Sequence, residues 1–549
     1  MNRRDSLSVL FGKRKKTASK TIAPPTLVTG FFSPYTGAWG FEQAAHLLRR
    51  ATFGPTYTQI KQAVTDGLDG TISLLFQDQP LPDLPIIYNF QNDPLVAQGE
   101  TWVNDIETPD INGLRSARRR SLQAWTYMNM FNEGVNVREK MTLFWHNHFV
   151  VASTNNPRFI FTYINFLREN SLGNFKELVE RITVDPSMLQ YLNGTQNSKN
   201  APNENFSREL LELFTIGKGP AAGPGDYTNY TEDDVVALAK ALTGWRFFDI
   251  DNPTLVQSDF IPNRHDTTDK QLSHRFNNVV ISDEGANEYK TVIDIIFQQD
   301  EVARFICRKL YRYFVHEDLN SDVEANIIEP MSQMLIADNY NIKNVVIALL
   351  SSEHFYDMSI RGCMVNHPVD FMMKMLGTME YKAPVDIFDE YKVFKKIFDV
   401  MKGLEMDIYN HPNVAGWKAF YQAPQFYKLW INAVALPIRM RFSEELINGF
   451  VQNGNEVKIN VLDLAASLDN PFDPNALINE IASIIFAQPI SQSQLVALKE
   501  ILIPGLPDFE WTDEYSLYIS GDTSVAAAVE NKLKALIVTM MKMPEFYLI

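Results

Sequence analysis

Apolar residues in this chain recur three and four positions apart and almost nowhere in strict alternation, so its hydrophobic surface runs along helices rather than across a sheet. Val235, Leu238, Ala239 and Leu242 show the spacing, and Thr231-Glu232-Asp233-Asp234 ahead of them reads as an N-cap and an acidic first turn. That helix stops at Thr243-Gly244-Trp245. Thr56 and Gln59 have the spacing of a capping box. Helical patterns dominate from Phe41 onward, over 289–314 and 341–355, and again from Asn475 to the end. No repeat of roughly 20–50 residues and no series of alternating strands interrupts them. The pattern predicts an all-α protein, a large multi-helix globular domain with long irregular loops and at most a short hairpin.

The chain has 549 residues, against roughly 100–150 for a typical domain, so one extended domain (35–549) or two packed helical lobes (about 35–280 and 281–549) both satisfy the length. With 45% apolar and 21% charged residues it falls well inside the range of soluble globular proteins. A net charge of −16 disfavours nucleic-acid and anionic-membrane partners, which need a basic face. Two cysteines, Cys307 and Cys363, exclude a disulfide framework within one chain. No apolar run approaches the roughly 18–20 residues of a transmembrane helix.

Residues 1–34 mix basic, Ser/Thr and Pro residues and are expected to form a mobile basic tail. Asn2-Arg3-Arg4-Asp5-Ser6-Leu7 opens like a twin-arginine export signal. The apolar stretch behind it ends at Gly12, short of the about 7–15 residues that export requires. A cytoplasmic protein with an uncleaved leader is favoured, with periplasmic export through a degenerate signal as the alternative.

Candidate chemistry concentrates in the first half. In Arg138-Glu139-Lys140-Met141-Thr142-Leu143-Phe144-Trp145-His146-Asn147-His148-Phe149, apolar residues surround most of the helical wheel, and Lys140 and Asn147 fall on one stripe, the expected solvated edge. His146 and His148 lie off that stripe on nearly opposite sides, and they converge on a metal only if the helix ends near Trp145. Otherwise each is a core histidine. In Asn203-Glu204-Asn205-Phe206-Ser207-Arg208-Glu209-Leu210-Leu211-Glu212-Leu213-Phe214-Thr215, Phe206, Leu210, Leu213 and Phe214 form the buried arc of an amphipathic helix. The opposite arc is either a solvated face knitted by Glu204–Arg208 and Arg208–Glu212 pairs or a pocket wall. As a wall, Asn205, Glu209 and Glu212 would share a divalent cation. His46 is followed by Arg49 and Arg50, which would neutralise those carboxylates or grip an anionic ligand. The Gly-, Pro-, Asp- and Asn-rich segment 247–277 is long enough to be functional and carries His265, Asp266 and His274. Zinc-protease, phosphate-loop, dinucleotide and nucleophile-elbow motifs are all missing.

At these same residues the chain resembles a large bacterial family known as domain of unknown function 1800, from about Phe41 to the C-terminus. The carriers are 45–54, 144–149, 203–215, Tyr230-Thr231-Glu232 with 241–245, and Arg308-Lys309-Leu310-Tyr311. Asn413-Val414-Ala415-Gly416-Trp417 and Pro544-Glu545-Phe546 complete them. The resemblance implies a bacterial protein, a companion protein of a sulfatase- or phosphatase-like family, and no established reaction. The chain departs from the family in its leader and in a long stretch between Trp417 and Trp430.

The reading these residues favour is a metal-dependent enzyme, hydrolytic or redox, with a divalent ion among His146, His148, Glu209, Glu212 and Asn205. His46, His265 and Arg208 would be its acid–base and charge-stabilising groups. The rival is a non-catalytic binding or assembly protein whose polar cluster is a structural network.

Overall fold

Residues 32–105, 111–152, 156–247, 256–452 and 454–549 are described by the computed structural model. Helices take 57% of the chain and strands 6%, so the fold is all-α as expected, with the strands confined to small hairpins. Each is an antiparallel pair: Ala221–Gly223 with Asp226–Tyr227, Trp245–Phe247 with Ser258–Phe260, Lys270–Gln271 with Val280–Ile281, and Phe450–Gln452 with Asn455–Val457. Two of them fold back the loop that follows Gly244. No helix among the described residues is long and apolar enough to cross a membrane.

Local signals place the helix starts. Thr56 caps the Tyr57–Leu75 helix in a reciprocal box with Gln59, and Thr231 caps Glu232–Ala241 in another with Asp234. Asp234 is fully buried, and it also accepts from the Ser273 amide at 2.7 Å, tying the loop back to the helix.

Packing runs across the middle of the chain. The Leu114–Asn132 helix lies along Ile387–Gly403, with Phe131 and Phe394 ring centroids 5.4 Å apart and Tyr127 edge-on to Phe398 at 5.8 Å. Phe175 donates its amide to the Tyr340 carbonyl at 2.9 Å, and Val365 bridges Leu548. Residues 1–31 of the expected tail lie outside the described residues; its end is docked, with Pro34 bridging Ser352.

Three helical stretches widen into π turns: Leu210–Thr215, Glu324–Ile328 and Lys374–Thr378. The last is crossed by the turn after the Phe41–Ala51 helix, backbone on backbone. Gly54 sits at φ +66°, and a Cβ there would lie 2.0 Å from the Met373 carbonyl oxygen. Only glycine permits that approach.

Candidate functional site

The Arg138–His148 helix is buried on almost every side, as an apolar wheel demands. Of the expected solvated edge, Lys140 is buried and Asn147 only half-buried. Lys140 is 2% exposed, its ammonium ion-paired with Asp370 and placed over the Phe53 ring, 4.6 Å from its centroid. Asn147 accepts the Trp417 amide through Oδ1 at 3.0 Å. That bond needs a glycine next door, because a Cβ on Gly416, at φ +91°, would sit 2.3 Å from the same oxygen.

The helix continues through His148, so the two imidazoles leave on different sides and no extended His-x-His pair forms. His146 meets Tyr409 at 5.3 Å and His411 at 4.5 Å between ring centroids. The Tyr409 amide donates to its Nε2 at 3.3 Å, which places the ring proton on Nδ1. Burial pushes its pKa down to about 3. His148 has its Nε2 3.1 Å from the Phe214 carbonyl and its Nδ1 3.0 Å from Lys309 Nζ. A carbonyl only accepts, so Nε2 carries the proton and Nδ1 accepts from the lysine. Neither imidazole has a free lone pair with which to hold a cation.

The carboxylates meant to complete that set lie elsewhere. Arg208 grips Glu232 through two bonds, at 2.8 and 2.6 Å, with Glu204 at 3.9 Å. The expected Arg208–Glu212 pair is replaced: Glu212 accepts from Tyr230 Oη at 3.0 Å and lies 3.8 Å from Lys218. Burial and then Glu212 push the half-buried Glu209 upward. Asn205 is exposed. These residues form a partly solvated face on which only the Glu204–Arg208 pair of the expected set is present.

Arg49 and Arg50 do not approach that helix. Arg49 donates to the Ile484 carbonyl at 2.9 Å, and Arg50 to the carbonyls of Ile360 at 3.0 Å and Ile549 at 2.9 Å. Both tie the first described helix to the C-terminal half. His46 is buried, its Nε2 bonded to the Phe355 carbonyl at 2.9 Å, and burial followed by Arg50 holds its pKa well below the usual range.

His265 belongs to a different cluster. Its Nδ1 donates to the Thr243 carbonyl and its Nε2 lies 2.9 Å from Glu288 Oε2 and 3.6 Å from Asp283. Ligand atoms of these three residues fall within 4.8 Å of one another, a spacing a metal would accept. The fully buried Lys270 ammonium already supplies positive charge there, 2.6 Å from Glu288 Oε1.

Where the quoted motifs do converge is on the Asp300–Phe314 helix. Ile306, Cys307, Leu310, Tyr311 and Phe314 form its buried face. Lys309, Arg312 and Tyr313, at i, i+3 and i+4, turn toward the Arg138–His148 helix, where Tyr313 Oη donates to the Lys140 carbonyl at 2.9 Å. A cavity of about 50 Å³ opens here, walled by Phe144, Asn147, His148, Lys309, Arg312 and Tyr421 among others. Arg312, Tyr313 and Phe420 also wall a second cavity of about 30 Å³ that holds Lys140, His367 and Asp370. Each is roomy enough for water or a small ion.

Charge in the first cavity is one-sided. Lys309 donates to His148 Nδ1 and to the Leu213 carbonyl at 2.9 Å, and Arg312 donates to the Glu317 carbonyl at 3.3 Å. Neither makes an ion pair among the described residues. The Leu213 and Phe214 carbonyls belong to the closing π turn of the 204–215 helix, so Lys309 and His148 also satisfy a helix C-terminus. Burial, then Arg312, brings the Lys309 pKa down to about 7. In the neighbouring cavity, burial alone would raise Asp370, but His367 and Lys140 hold it down to about 2.

Sequence reasoning passed over Lys309, Arg312 and His411. The i, i+3, i+4 spacing was a signal for the first two, but Arg304 and Arg308 on the same helix have it as well and are paired with Glu329 and Glu324. His411 packs tilted against Trp417, ring centroids 3.9 Å apart, and neither of its ring nitrogens has a hydrogen-bond partner among the described residues. No sequence pattern marks it.

Comparison with curated proteins and with solved structures yields no match. The model of one family, described as protein of unknown function (DUF1800), matches residues 46–548, a span that contains every lining residue of the first cavity and all but Ile549 of the second. The chain belongs to this family.

Proposed function

We propose that this protein binds a small anion in the cavity walled by His148, Lys309 and Arg312. One observation carries the reading: two cationic side chains line a single cavity with no carboxylate paired to either among the described residues. Lys140, Arg168 and Lys270 are matched by Asp370, Glu139 and Glu288, and the buried Arg49, Arg50, Lys374 and Arg439 are held by backbone carbonyls or, for Arg439, by Asn366. What sets Lys309 and Arg312 apart is that they line one cavity whose wall holds no carboxylate among the described residues. A carboxylate or oxoanion would supply the missing charge and accept from the Arg312 guanidinium, and also from the third hydrogen of Lys309 while that nitrogen is an ammonium.

The test is thermal unfolding of the full chain in rising acetate or phosphate at constant ionic strength. Anion-dependent stabilisation is expected for the wild type and is lost in Lys309→Met and Arg312→Met, since a ligand that binds only the folded state raises its stability. Equal shifts in all three proteins would sink the reading.

The structural reading has its own support in the carbonyls of Leu213 and Phe214, which Lys309 and His148 satisfy. It predicts variants that lose stability and gain no sensitivity to anions. A metal-dependent enzyme finds support in the spacing of His265, Asp283 and Glu288 rather than in the His146–His148 segment. Elemental analysis of tag-free wild type and His265→Ala protein tests it.

A further inference from the structure

We propose that Lys309 is an amine nucleophile that condenses with the carbonyl carbon of a small oxo acid whose carboxylate Arg312 holds. The inference rests on the anion reading above and adds a reaction to it. It begins from the geometry of one nitrogen. A neutral lysine amine has two hydrogens and one lone pair; His148 Nδ1 at 3.0 Å and the Leu213 carbonyl at 2.9 Å take both hydrogens. The lone pair is the remaining direction, on a side chain that lines the cavity.

The surroundings favour the neutral form. Arg312 lies on the same helix, one turn on, and His148 presents a lone pair rather than a charge. Apolar rings make up much of the rest of the wall, Phe144 and Phe420 in the cavity and Phe305 4.6 Å beneath the amine. The end of the 204–215 helix pulls the other way, favouring an ammonium. Burial and Arg312 outweigh it, and the amine titrates near pH 7 instead of near 10. Desolvation next to a second cation is a general way of making a lysine nucleophilic at neutral pH.

The step balances without a further reagent. The Nζ lone pair adds to the carbonyl carbon, and the carbonyl π pair moves onto oxygen. His148 Nδ1 takes a proton from the new ammonium and passes it to the oxygen, which gives a carbinolamine and restores the neutral imidazole. Loss of the second nitrogen proton and of the hydroxyl as water leaves a carbon–nitrogen double bond. One amine and one carbonyl become one imine and one water. His148 is placed for the proton transfer because the Phe214 carbonyl fixes its proton on Nε2 and leaves Nδ1 facing the amine, while burial and then Lys309 hold its pKa well below the usual range and make it a relay rather than a lasting proton store.

Glyoxylate is the probe, with acetate as an anion of similar charge that lacks a carbonyl. The full-length protein is incubated with glyoxylate and cyanoborohydride at pH 7, and the modified lysines are mapped by peptide mass spectrometry. Lys309 should be the dominant site, acetate should compete, and Arg312→Gln should raise the glyoxylate concentration for half-labelling by about tenfold or more. A His148→Gln variant should slow labelling while keeping a pH dependence centred near 7, which belongs to Lys309. Labelling spread over exposed lysines in proportion to their exposure would overturn the proposal. If acetate stabilises the fold while Lys309 stays unlabelled, condensation fails and anion binding stands. If neither acid stabilises the fold or labels Lys309, both readings fall together.

Discussion

Asp370 shows what a single buried charge does for this protein. Its carboxylate is bonded by Lys140 and by His367 Nε2 at 2.9 Å, with all three side chains nearly excluded from solvent. Asp370→Asn leaves the Lys140 ammonium buried without its anion, which should cost about 3–5 kcal/mol at pH 7 by urea unfolding. The pH dependence follows from the direction of the shift. Asp370 is held down to about 2, below its value in the unfolded chain, so its contribution is complete above about pH 4 and is lost as pH falls toward 2. The variant should lack that part of the acid-induced loss; equal acid sensitivity in the two proteins would contradict the assignment. His411 is the opposite case, a buried imidazole whose ring nitrogens bond nothing among the described residues. His411→Phe removes desolvated polar atoms at little change in shape, and it should be neutral or stabilising by about 1 kcal/mol in thermal melts. A loss above about 2 kcal/mol would show that the ring holds something. The residue scale was the least legible in sequence. His146 and His148 were visible as histidines off the polar stripe, yet which nitrogen carries the proton is set by the Tyr409 amide and the Phe214 carbonyl, both distant in the chain.

Helix by helix, the local code reads well where it concerns ends and poorly where it concerns faces. Thr56 and Gln59 form the box their spacing predicts, and Thr231 is the N-cap expected of it, closed further into a box by Asp234, because a cap bonds only to its own first turn. Of the predicted arc, Phe206, Leu210 and Phe214 are buried as the period requires, but Leu213 is only half-buried and Leu211, outside the arc, is fully buried, because the π turn shifts the register there. The Arg138–His148 helix defeats the same method, since a wheel that is apolar nearly all round has no outside. Lys140, assigned to a solvated edge, turned out to be buried because Asp370 supplies the matching charge. The π turn at Leu210–Thr215 was equally invisible, though it presents the two carbonyls that seat Lys309 and His148. A prediction belongs to the segment that closes the cavity. Gly416→Ala places a Cβ at φ +91° against Asn147 Oδ1 and should cost about 1–3 kcal/mol. It should also weaken any anion-dependent stabilisation, because Ala415 and Asn147 line the same cavity. A variant with wild-type melting and wild-type anion response would show that the contact positions nothing.

Over the whole molecule, packing ignores the midpoint of the chain. Arg50 reaches Ile360 and Ile549, the Leu114–Asn132 helix lies on Ile387–Gly403, and Phe175 bonds to Tyr340. Cutting the chain after residue 280 should therefore leave two fragments that lack cooperative melts by circular dichroism and regain one when mixed. Independent cooperative melting of either fragment would instead establish two lobes. By itself the sequence determined the helical class, the helix ends, the acidic balance and the motifs of the family. Those properties depend on residues within a few positions of one another or on a sum over the chain. Only the tertiary structure decided which motifs meet. Lys309 lies 161 residues from His148, and Lys140 lies 230 from Asp370. Periodicity records that a side chain is buried, whereas the partner that makes a buried charge tolerable is chosen through space by the packing of helices far apart in the chain.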